Sequence, residues 1–219
     1  MPISDFYLKV TTLPLLQGVS AEQILHMQER GAFRIVSIEP EEGYIIRSGQ
    51  HCNMLTMLME GSLMCISKGN EWTLEEEIHA PAVIEEEALW NRSQTYNHTY
   101  RPLTNGRLLV ADRSHTMQYL MHNEVFRMNL LTRMSSRIER QYESSISLET
   151  TDIQDKILKL IQRISYTPNW PKRLKIKMTT LAKLIDETRL NVSITLRQMQ
   201  EAEMVVLTRE HITFKQIPQ

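Results

Sequence analysis

Hydrophobic periodicity divides the 219-residue chain into three segments. In residues 1–120, short apolar runs alternate with glycine and polar residues, a pattern typical of short strands. In residues 121–147, apolar residues recur at steps of three and four, which predicts one long helix. Residues 148–219 combine helical stripes with strand-like runs. We therefore expect three domains or segments with these boundaries.

The first segment predicts a helix followed by antiparallel β-structure. Ser20 and Gln23 have the spacing of a capping box, so a helix should begin at Ser20 and run to about Glu29. All seven glycines of the chain lie in this segment, mostly between or beside apolar runs, where turns need a positive φ. Many short strands at regular spacing are typical of a barrel or sandwich. The predicted strands are Phe33–Ile38, Tyr44–Arg47, Met54–Met59, Ser62–Ser67, Thr73–Ile78, Thr95–Tyr100 and Arg107–Asp112.

The long helix carries one apolar seam with charged flanks, and residues 121–147 contain neither Gly nor Pro. Such a seam packs either on its own domain or against the same helix of a second copy. We favour the second arrangement, a two-fold helix pair. The seam consists of Val125, Met128, Leu131, Met134, Ile138 and Tyr142.

The last segment begins with an amphipathic helix at Asp152–Ile164 and a proline-rich loop, followed by a strand at Lys172–Lys177 in which basic and apolar residues alternate. Two short helices follow, separated by the polar turn Asp186–Thr188, whose Thr188 is suited to cap the second helix. Each helix carries one apolar stripe. The stripes are Leu181, Leu184 and Ile185 in the first helix, and Val192, Leu196 and Met199 in the second.

Two further runs, Val205–Leu207 and His211–Phe214, predict a β-hairpin after the helices. The whole segment therefore has the layout of a winged helix-turn-helix, whose second helix enters the DNA major groove. An ordinary helical hairpin would account for the two helices alone equally well. The upstream elements favour the DNA-binding interpretation.

Charge is distributed unevenly, although the formal net charge is only −1. From Thr150 onward there are 12 Lys and Arg against 7 Asp and Glu, whereas the preceding part has 13 against 19. A basic C-terminal part suits a nucleic-acid module attached to another domain. Cys52 and Cys65 are too few for a four-thiolate iron–sulfur site and favour reduced thiols in a cytoplasmic protein. With neither a signal peptide nor the roughly 18 apolar residues of a membrane span, we expect a soluble chain.

Barrel, long helix and winged module in this order resemble the CRP/FNR family of bacterial transcription regulators. The likeness covers roughly Leu13 to Phe214 and is strongest over Asp152–Val205. In the C-terminal part, Arg189 stands where the family's recognition helix usually opens with Arg. Other matching positions are the turn glycines Gly43, Gly49 and Gly61 and the helix positions Ala182, Leu184, Ile185, Thr188, Val192, Leu196 and Met204.

The resemblance implies an α+β fold with a cyclic-nucleotide-binding-like antiparallel β-roll (1–120), a long dimerisation helix (121–147) and a winged helix-turn-helix (148–219). It further implies a homodimeric, sequence-specific regulator that binds a near-palindromic site in double-stranded DNA, with RNA polymerase as a candidate further partner. We expect no catalytic residues and no membrane partner.

At about 100° per residue, one face of the second helix should point outward and read bases. Arg189 is the candidate for a bidentate contact with guanine, with a phosphate contact as the alternative. Leu190 and Ile194 would contact thymine methyls and favour A·T-rich sites, unless they pack on the wing or a neighbouring domain. The base-reading candidates are Arg189, Leu190, Ser193, Ile194 and Arg197. The candidates for phosphate contacts are Thr179, Thr180, Thr188, Asn191, Lys172, Lys175 and Lys177.

The cyclic-nucleotide cassette is degenerate. In the family's nucleotide binders a Gly-Glu pair and an Arg-Ser or Arg-Thr pair grip the ligand, but here Glu85 replaces the Gly and Tyr96 and Asn97 replace the second pair. Glu86 keeps the place of the ribose-binding Glu, and Tyr142 falls where a residue can touch the base. A phosphate would lose its cation and face three carboxylates, which argues against cyclic AMP.

We therefore predict no cofactor and no metal site, while haem or another small effector stays open. The histidines that could be nominated as haem ligands are His26, His51, His79 and His98. A cupin-like metalloenzyme is an alternative class, but it needs paired histidines and a second ligand cluster, and Gln50–Asn53 supplies only His51. A dimeric interaction protein with a degenerate winged helix is the other alternative, and it predicts no salt-dependent DNA binding.

Overall fold

A computed structural model of the chain describes residues 3–146 and 152–215, with side chains described over 6–143 and 152–215. The chain divides into two compact units. The first contains residues 1–63 and 78–137, and the second contains residues 64–77 and 138–219. The boundaries at 120/121 and 147/148 stay predictions.

In chain order the elements are α1 (Ile3–Val10), α2 (Ala21–Glu29), β1 (Arg34–Ile38), β2 (Met54–Glu60), β3 (Ser62–Lys68), β4 (Trp72–His79), β5 (Ala82–Ile84), β6 (Thr99–Pro102), β7 (Gly106–Asp112), α3 (Arg113–Gln118), α4 (Glu124–Ile146), α5 (Ile153–Ile164), β8 (Lys172–Ile176), α6 (Met178–Leu184), α7 (Arg189–Glu201), β9 (Val205–Leu207) and β10 (Ile212–Phe214). Short 3-10 helices occupy Pro40–Glu42, Glu86–Leu89 and Leu120–His122.

The first unit contains an antiparallel sheet with the strand order β1-β7-β2-β5. Val110 of β7 lies opposite Arg34 of β1 and opposite Thr56 of β2, so these three residues lie in one row across the sheet. The predicted capping box is confirmed at α2, where the backbone N–H of Gln23 donates to Ser20 Oγ at 3.2 Å and that of Ser20 donates to Gln23 Oε1 at 3.3 Å.

Two predicted strands differ from the observed structure. Tyr44–Arg47 makes only an isolated bridge, between Ile46 and Tyr100, and the strand predicted at Thr95–Tyr100 is replaced by β6. The reason lies in the backbone N–H groups of Asn97 and His98, which donate to the carboxylate of Glu85 instead of to a neighbouring strand. Strand β5 was not predicted.

Helix α4 is the predicted long helix, with residue 147 outside the described residues. It begins at Glu124 rather than at residue 121, because Leu120–His122 form a 3-10 turn and Asn123 Oδ1 then accepts the N–H of Phe126 at 3.0 Å. Phe126 and Leu130 are buried, so they form the inner face of the helix.

The second unit joins a strand pair from the first half of the sequence to the C-terminal elements. Its strands follow the order β3-β4-β8-β10-β9, and β4 pairs with β8 from Trp72 opposite Ile176 to Glu76 opposite Lys172. Helices α5, α6 and α7 pack on a core that includes Leu74 of β4 together with the predicted stripe of α7. One residue of the α6 stripe was placed wrongly: Leu184, the last residue of the helix, is 41% exposed, whereas Leu181 and Ile185 are buried.

Candidate nucleic-acid interface and effector cassette

Helix α7 is held by a local cap and by its buried stripe. Thr188 Oγ1 accepts the backbone N–H of Asn191 at 3.2 Å, as the predicted cap requires. Asp186 in the preceding turn has φ 53°, the left-handed conformation that Asp tolerates better than most residues. Val192, Leu196 and Met199 are fully buried in the second unit. The opposite face of the helix is therefore fixed in its orientation.

That opposite face carries the predicted base-reading residues. Arg189 and Arg197 are exposed, and Ser193 is half-buried. Leu190 is 68% exposed and Ile194 is 46% exposed. The wing therefore does not cover them, in contrast to one of the alternatives above. Two large aliphatic side chains thus lie in solvent between two arginines.

The candidates for phosphate contacts divide into accessible and inaccessible side chains. Two of the seven predictions are wrong. Lys172 is 1% exposed, and its ammonium donates to Glu76 Oε1 and to the Thr167 carbonyl, each at 2.6 Å. Thr180 is buried, and its hydroxyl donates to Glu71 Oε2 at 2.9 Å. The accessible candidates are Lys175, Lys177, Thr179, Thr188 and Asn191.

The position of Lys172 in β8 explains its burial. Alternate residues of a strand face the same side, and Lys172 shares its side with the buried Leu174 rather than with the exposed Arg173 and Lys175. Burial lowers the pKa of Lys172, against the opposing effect of Glu76. One accessible cation was missed by the sequence interpretation, Arg209, which lies exposed in the turn between β9 and β10.

The seam of α4 is accessible along most of its length. Leu131 and Met128 are each 57% exposed, and Val125, Ile138 and Tyr142 are also exposed, whereas Met134 is half-buried. A row of apolar side chains on one helix, left in solvent by the chain's own packing, is typical of a helix that pairs with another helix.

The segment that matches the family's cyclic-nucleotide cassette, here called the effector cassette, contains Glu85, Glu86 and Glu87. One of these side chains occupies its anion-binding position. Glu85 is 1% exposed, and its carboxylate accepts the backbone N–H of Asn97 at 2.7 Å and of His98 at 2.9 Å. The Tyr100 hydroxyl donates at 2.9 Å, and His98 Nδ1 lies 2.8 Å away. Burial alone would raise the pKa of Glu85, but His98 and these N–H donors lower it. An internal anion is thus bound at the segment where the family's pattern implies a ligand phosphate.

Helix α4 is tied to the same cassette by two ion pairs. Arg133 Nε lies 2.8 Å from Glu86 Oε1, and Arg137 Nη1 lies 2.6 Å from Glu87 Oε1. Burial raises the pKa of Glu87, and the neighbouring carboxylates Glu86 and Glu85 act in the same direction. Both arginines therefore contact carboxylates of the chain itself.

The other predicted pocket residues are distributed differently. Tyr96 is buried, and its hydroxyl donates to the Met54 carbonyl at 3.4 Å, whereas the side chain of Asn97 is exposed. Tyr142 is exposed on α4, so its role in the pocket stays a prediction. The structure therefore brings Glu85 and the backbone of Asn97 together.

Among the described side chains, those of residues 6–143 and 152–215, no group of three or more His, Cys, Asp or Glu is arranged to hold a metal ion. Of the nominated histidines, His26, His51 and His79 are exposed, and His98 is engaged by Glu85. In the same described residues, none of the helices combines the length and apolar character needed to cross a membrane. Cys52 and Cys65 are buried and are not joined in a disulfide.

No protein-family model and no curated protein matches the chain. Solved structures do match over nearly its whole length. The catabolite activator protein of Thermus thermophilus is 15% identical, with 92% of this chain and 93% of that chain covered and a TM-score of 0.50. The c-di-GMP-responsive global regulator CLP of Xanthomonas campestris is 16% identical, covering 88% and 100%, with a TM-score of 0.52.

A third match is a protein from Eubacterium rectale described as a transcriptional regulator of the CRP/FNR family. It is 14% identical, with 93% of this chain and 94% of that chain covered and a TM-score of 0.53. At this low sequence identity, the structural matches show a shared fold and no more. The chain therefore has the fold of CRP/FNR-type regulators, and the fold class predicted from the sequence is confirmed.

Proposed function

We propose that this protein is a sequence-specific, DNA-binding transcription regulator of the CRP/FNR type that acts as a homodimer. The observation that carries the proposal is the solvent-facing side of α7, where Leu190 and Ile194 lie exposed between Arg189 and Arg197. Large aliphatic side chains on the outer face of a surface helix are unfavourable in water unless a partner covers them. Thymine methyl groups in the major groove are such a partner.

The surrounding side chains suit the same contact. Arg189, at the start of α7, can donate two parallel hydrogen bonds to guanine O6 and N7, a contact worth roughly 1–3 kcal/mol of discrimination. Lys175, Lys177 and the wing residue Arg209 are exposed cations that can pair with phosphates and thereby position the helix. The proposed interface thus combines base-reading groups on one helix with positioning groups beside it.

We further propose that the α4 seam forms the dimer interface. Its exposed apolar side chains would be buried against the same helix of a second copy, as in a two-helix coiled coil. A two-fold dimer of helix-turn-helix units reads two half-sites about 34 Å apart, one turn of DNA. The expected target is therefore a near-palindromic site.

We infer that cyclic AMP is not the effector. The Glu85 carboxylate uses the Asn97 and His98 amides, and a ligand phosphate at this segment would meet a buried negative charge. A metalloenzyme is not favoured by any arrangement of ligand side chains in the described residues. Contact with RNA polymerase stays a prediction.

The test is a titration of full-length protein with duplexes that carry a selected site or a scrambled one, at several salt concentrations. We expect Arg189→Ala to reduce the preference for the selected site by about tenfold or more, because a base contact is lost. Lys177→Ala should weaken both duplexes alike and lower the salt dependence. Arg30→Ala, an exposed arginine of the first unit, is the matched control and should change neither quantity.

Two outcomes would contradict the proposal. Binding that is absent at low salt from a folded dimer would favour an interaction protein with a degenerate winged helix. An Arg189→Ala protein that weakens both duplexes equally would limit Arg189 to a phosphate contact and leave the base-reading assignment without its main residue.

A further inference from the structure

The first unit contains a cavity that is separate from the three carboxylates of the effector cassette. Its volume is about 290 Å³, and Glu85, Glu86 and Glu87 are not among its lining residues. Three strands form one side: Arg34 and Val36 of β1, Thr56 of β2, and Leu108 and Val110 of β7 project from the same face of the sheet. Ile38, Met54, Tyr96 and seven residues between positions 42 and 53 supply the rest of the lining. A space of this volume lies at the lower end of the ~300–1,000 Å³ that small-molecule sites span, so it suits a small ligand.

Apolar side chains in this cavity are left in contact with solvent. Val36 is 38% exposed although Leu108, its neighbour across the sheet, is buried, and Tyr44 is also exposed. Ile45 is half-buried at the same place, and Ile38 and Ile46 are buried. A concave, mainly apolar lining with a few polar groups is typical of small-molecule sites. The body of a ligand that fits here should therefore be apolar.

One cation faces this apolar lining. The Arg34 guanidinium donates to Met54 Sδ at 2.8 Å, and a thioether is a weak acceptor. Among the side chains described, those of residues 6–143 and 152–215, no carboxylate lies within ion-pair distance of Arg34, in contrast to Arg107, which pairs with Glu60 at 2.5 Å. Most of the Arg34 donors are therefore available to an anion, and a guanidinium matches the two oxygens of a carboxylate. Glu42, also in the lining, disfavours ligands with more than one negative charge.

We propose that this cavity binds a small monocarboxylate with an aliphatic or aromatic body, whose carboxylate is held by Arg34 and whose body covers Val36, Leu108 and Val110. The site lies on the face of the sheet that carries Arg34, Val36 and Val110. Neither Asn97 nor the three carboxylates of the effector cassette line it. It shares Tyr96 with the predicted effector pocket, but its apolar lining and its arginine differ in chemistry from a cyclic-nucleotide site. The assignment concerns binding and does not depend on whether the protein binds DNA.

The test is isothermal titration of the full-length protein with octanoate and with 3-phenylpropionate, alongside octanol as an uncharged probe of equal length. We expect one carboxylate per chain at millimolar or lower concentration, and weaker binding of octanol. Arg34→Gln should weaken octanoate binding by about tenfold, since a charge-assisted contact is lost. Arg30→Gln is the matched control, because Arg30 is exposed and lies outside the lining, and it should bind octanoate as the unaltered protein does.

A second variant separates the apolar contribution from the charge. Val36→Asp puts a carboxylate into the exposed part of the lining and should abolish octanoate binding while the protein stays folded, because Val36 is already partly in solvent. Failure of both carboxylates to bind at millimolar concentration would overturn the proposal. Octanoate binding that Arg34→Gln leaves unchanged, or that octanol equals, would overturn the role of Arg34.

Discussion

Replacing Glu85 tests whether its buried carboxylate stabilises the first unit. Two backbone N–H groups and the Tyr100 hydroxyl donate to it in the interior, and Glu85→Ala would leave these donors without an acceptor. Each buried donor left unpaired costs about 1–3 kcal/mol, partly offset by water that enters the vacated space. We therefore expect Glu85→Ala to lower the free energy of unfolding by about 3–5 kcal/mol, the range for removing one partner of a buried charged group.

A glycine at the same position should be less harmful than alanine. Glu85 has φ 39° and ψ 54°, a left-handed conformation that costs a residue with a Cβ about 1–2 kcal/mol. Glu85→Gly loses the same hydrogen bonds but relieves this cost, so it should unfold about 2–4 °C above Glu85→Ala for each 1 kcal/mol regained. Glu41→Ala, which removes an exposed carboxylate within the surface turn Pro40–Glu42, is the control and should be close to neutral.

The pH dependence gives the sign of the effect. Because the pKa of Glu85 is lowered in the folded state, its stabilisation is complete above its ordinary value of 4.5 and is lost as the pH falls through the folded-state pKa. The difference in stability between the unaltered protein and Glu85→Ala should thus be constant near neutral pH and shrink in acid. Chemical denaturation across this pH range measures it. Equal unfolding temperatures for the Ala and Gly variants, or a difference that grows in acid, would refute the reasoning.

Three further predictions concern the second unit and the long helix. Lys172→Met should destabilise by about 3–5 kcal/mol because it leaves the buried Glu76 carboxylate without its cation. The double variant with Glu76→Leu should recover only part of this loss in denaturant titrations, because it also removes the acceptor of the Tyr166 and Thr167 N–H groups. A double variant no better than the single would contradict this prediction. Thr188→Ala should cost about 1 kcal/mol through loss of the α7 cap, which thermal unfolding can measure, and a neutral effect would count against the cap. Leu131→Glu should shift the protein from dimer to monomer in sedimentation experiments, whereas an unchanged mass would exclude the α4 seam as the interface.

The features that the sequence predicted well are those fixed by neighbouring residues. The Ser20–Gln23 capping box, the Thr188 cap and the buried stripe of α7 depend on contacts within a few positions of the chain. Periodicity alone also identifies the exposed side of α7, because the burial of Val192 and Leu196 determines which residues point away from the core. Local spacing was sufficient for this part of the candidate site.

The features that were missed depend on residues far apart in the sequence. Pairing of β4 with β8 brings Glu76 to Lys172, and no local pattern indicates which strand β8 will meet. The alternation of strand residues did indicate the burial of Lys172, because Lys172 and Leu174 are two positions apart and so face the same side of the sheet. The Glu85 carboxylate likewise interrupts a predicted strand by accepting N–H groups from residues 97 and 98, a contact that composition does not reveal.

The central claim is that α7 reads DNA through Arg189, Leu190 and Ile194. The most direct measurement is selection of bound fragments from a random duplex pool by purified protein, without added ligand and at two salt concentrations. The account predicts a near-palindromic, A·T-rich motif that persists at the higher salt, and loss of the A·T preference in a Leu190→Asn, Ile194→Asn variant. An enriched motif that is unchanged in this variant, or no enrichment at either salt from a folded dimer, would contradict it.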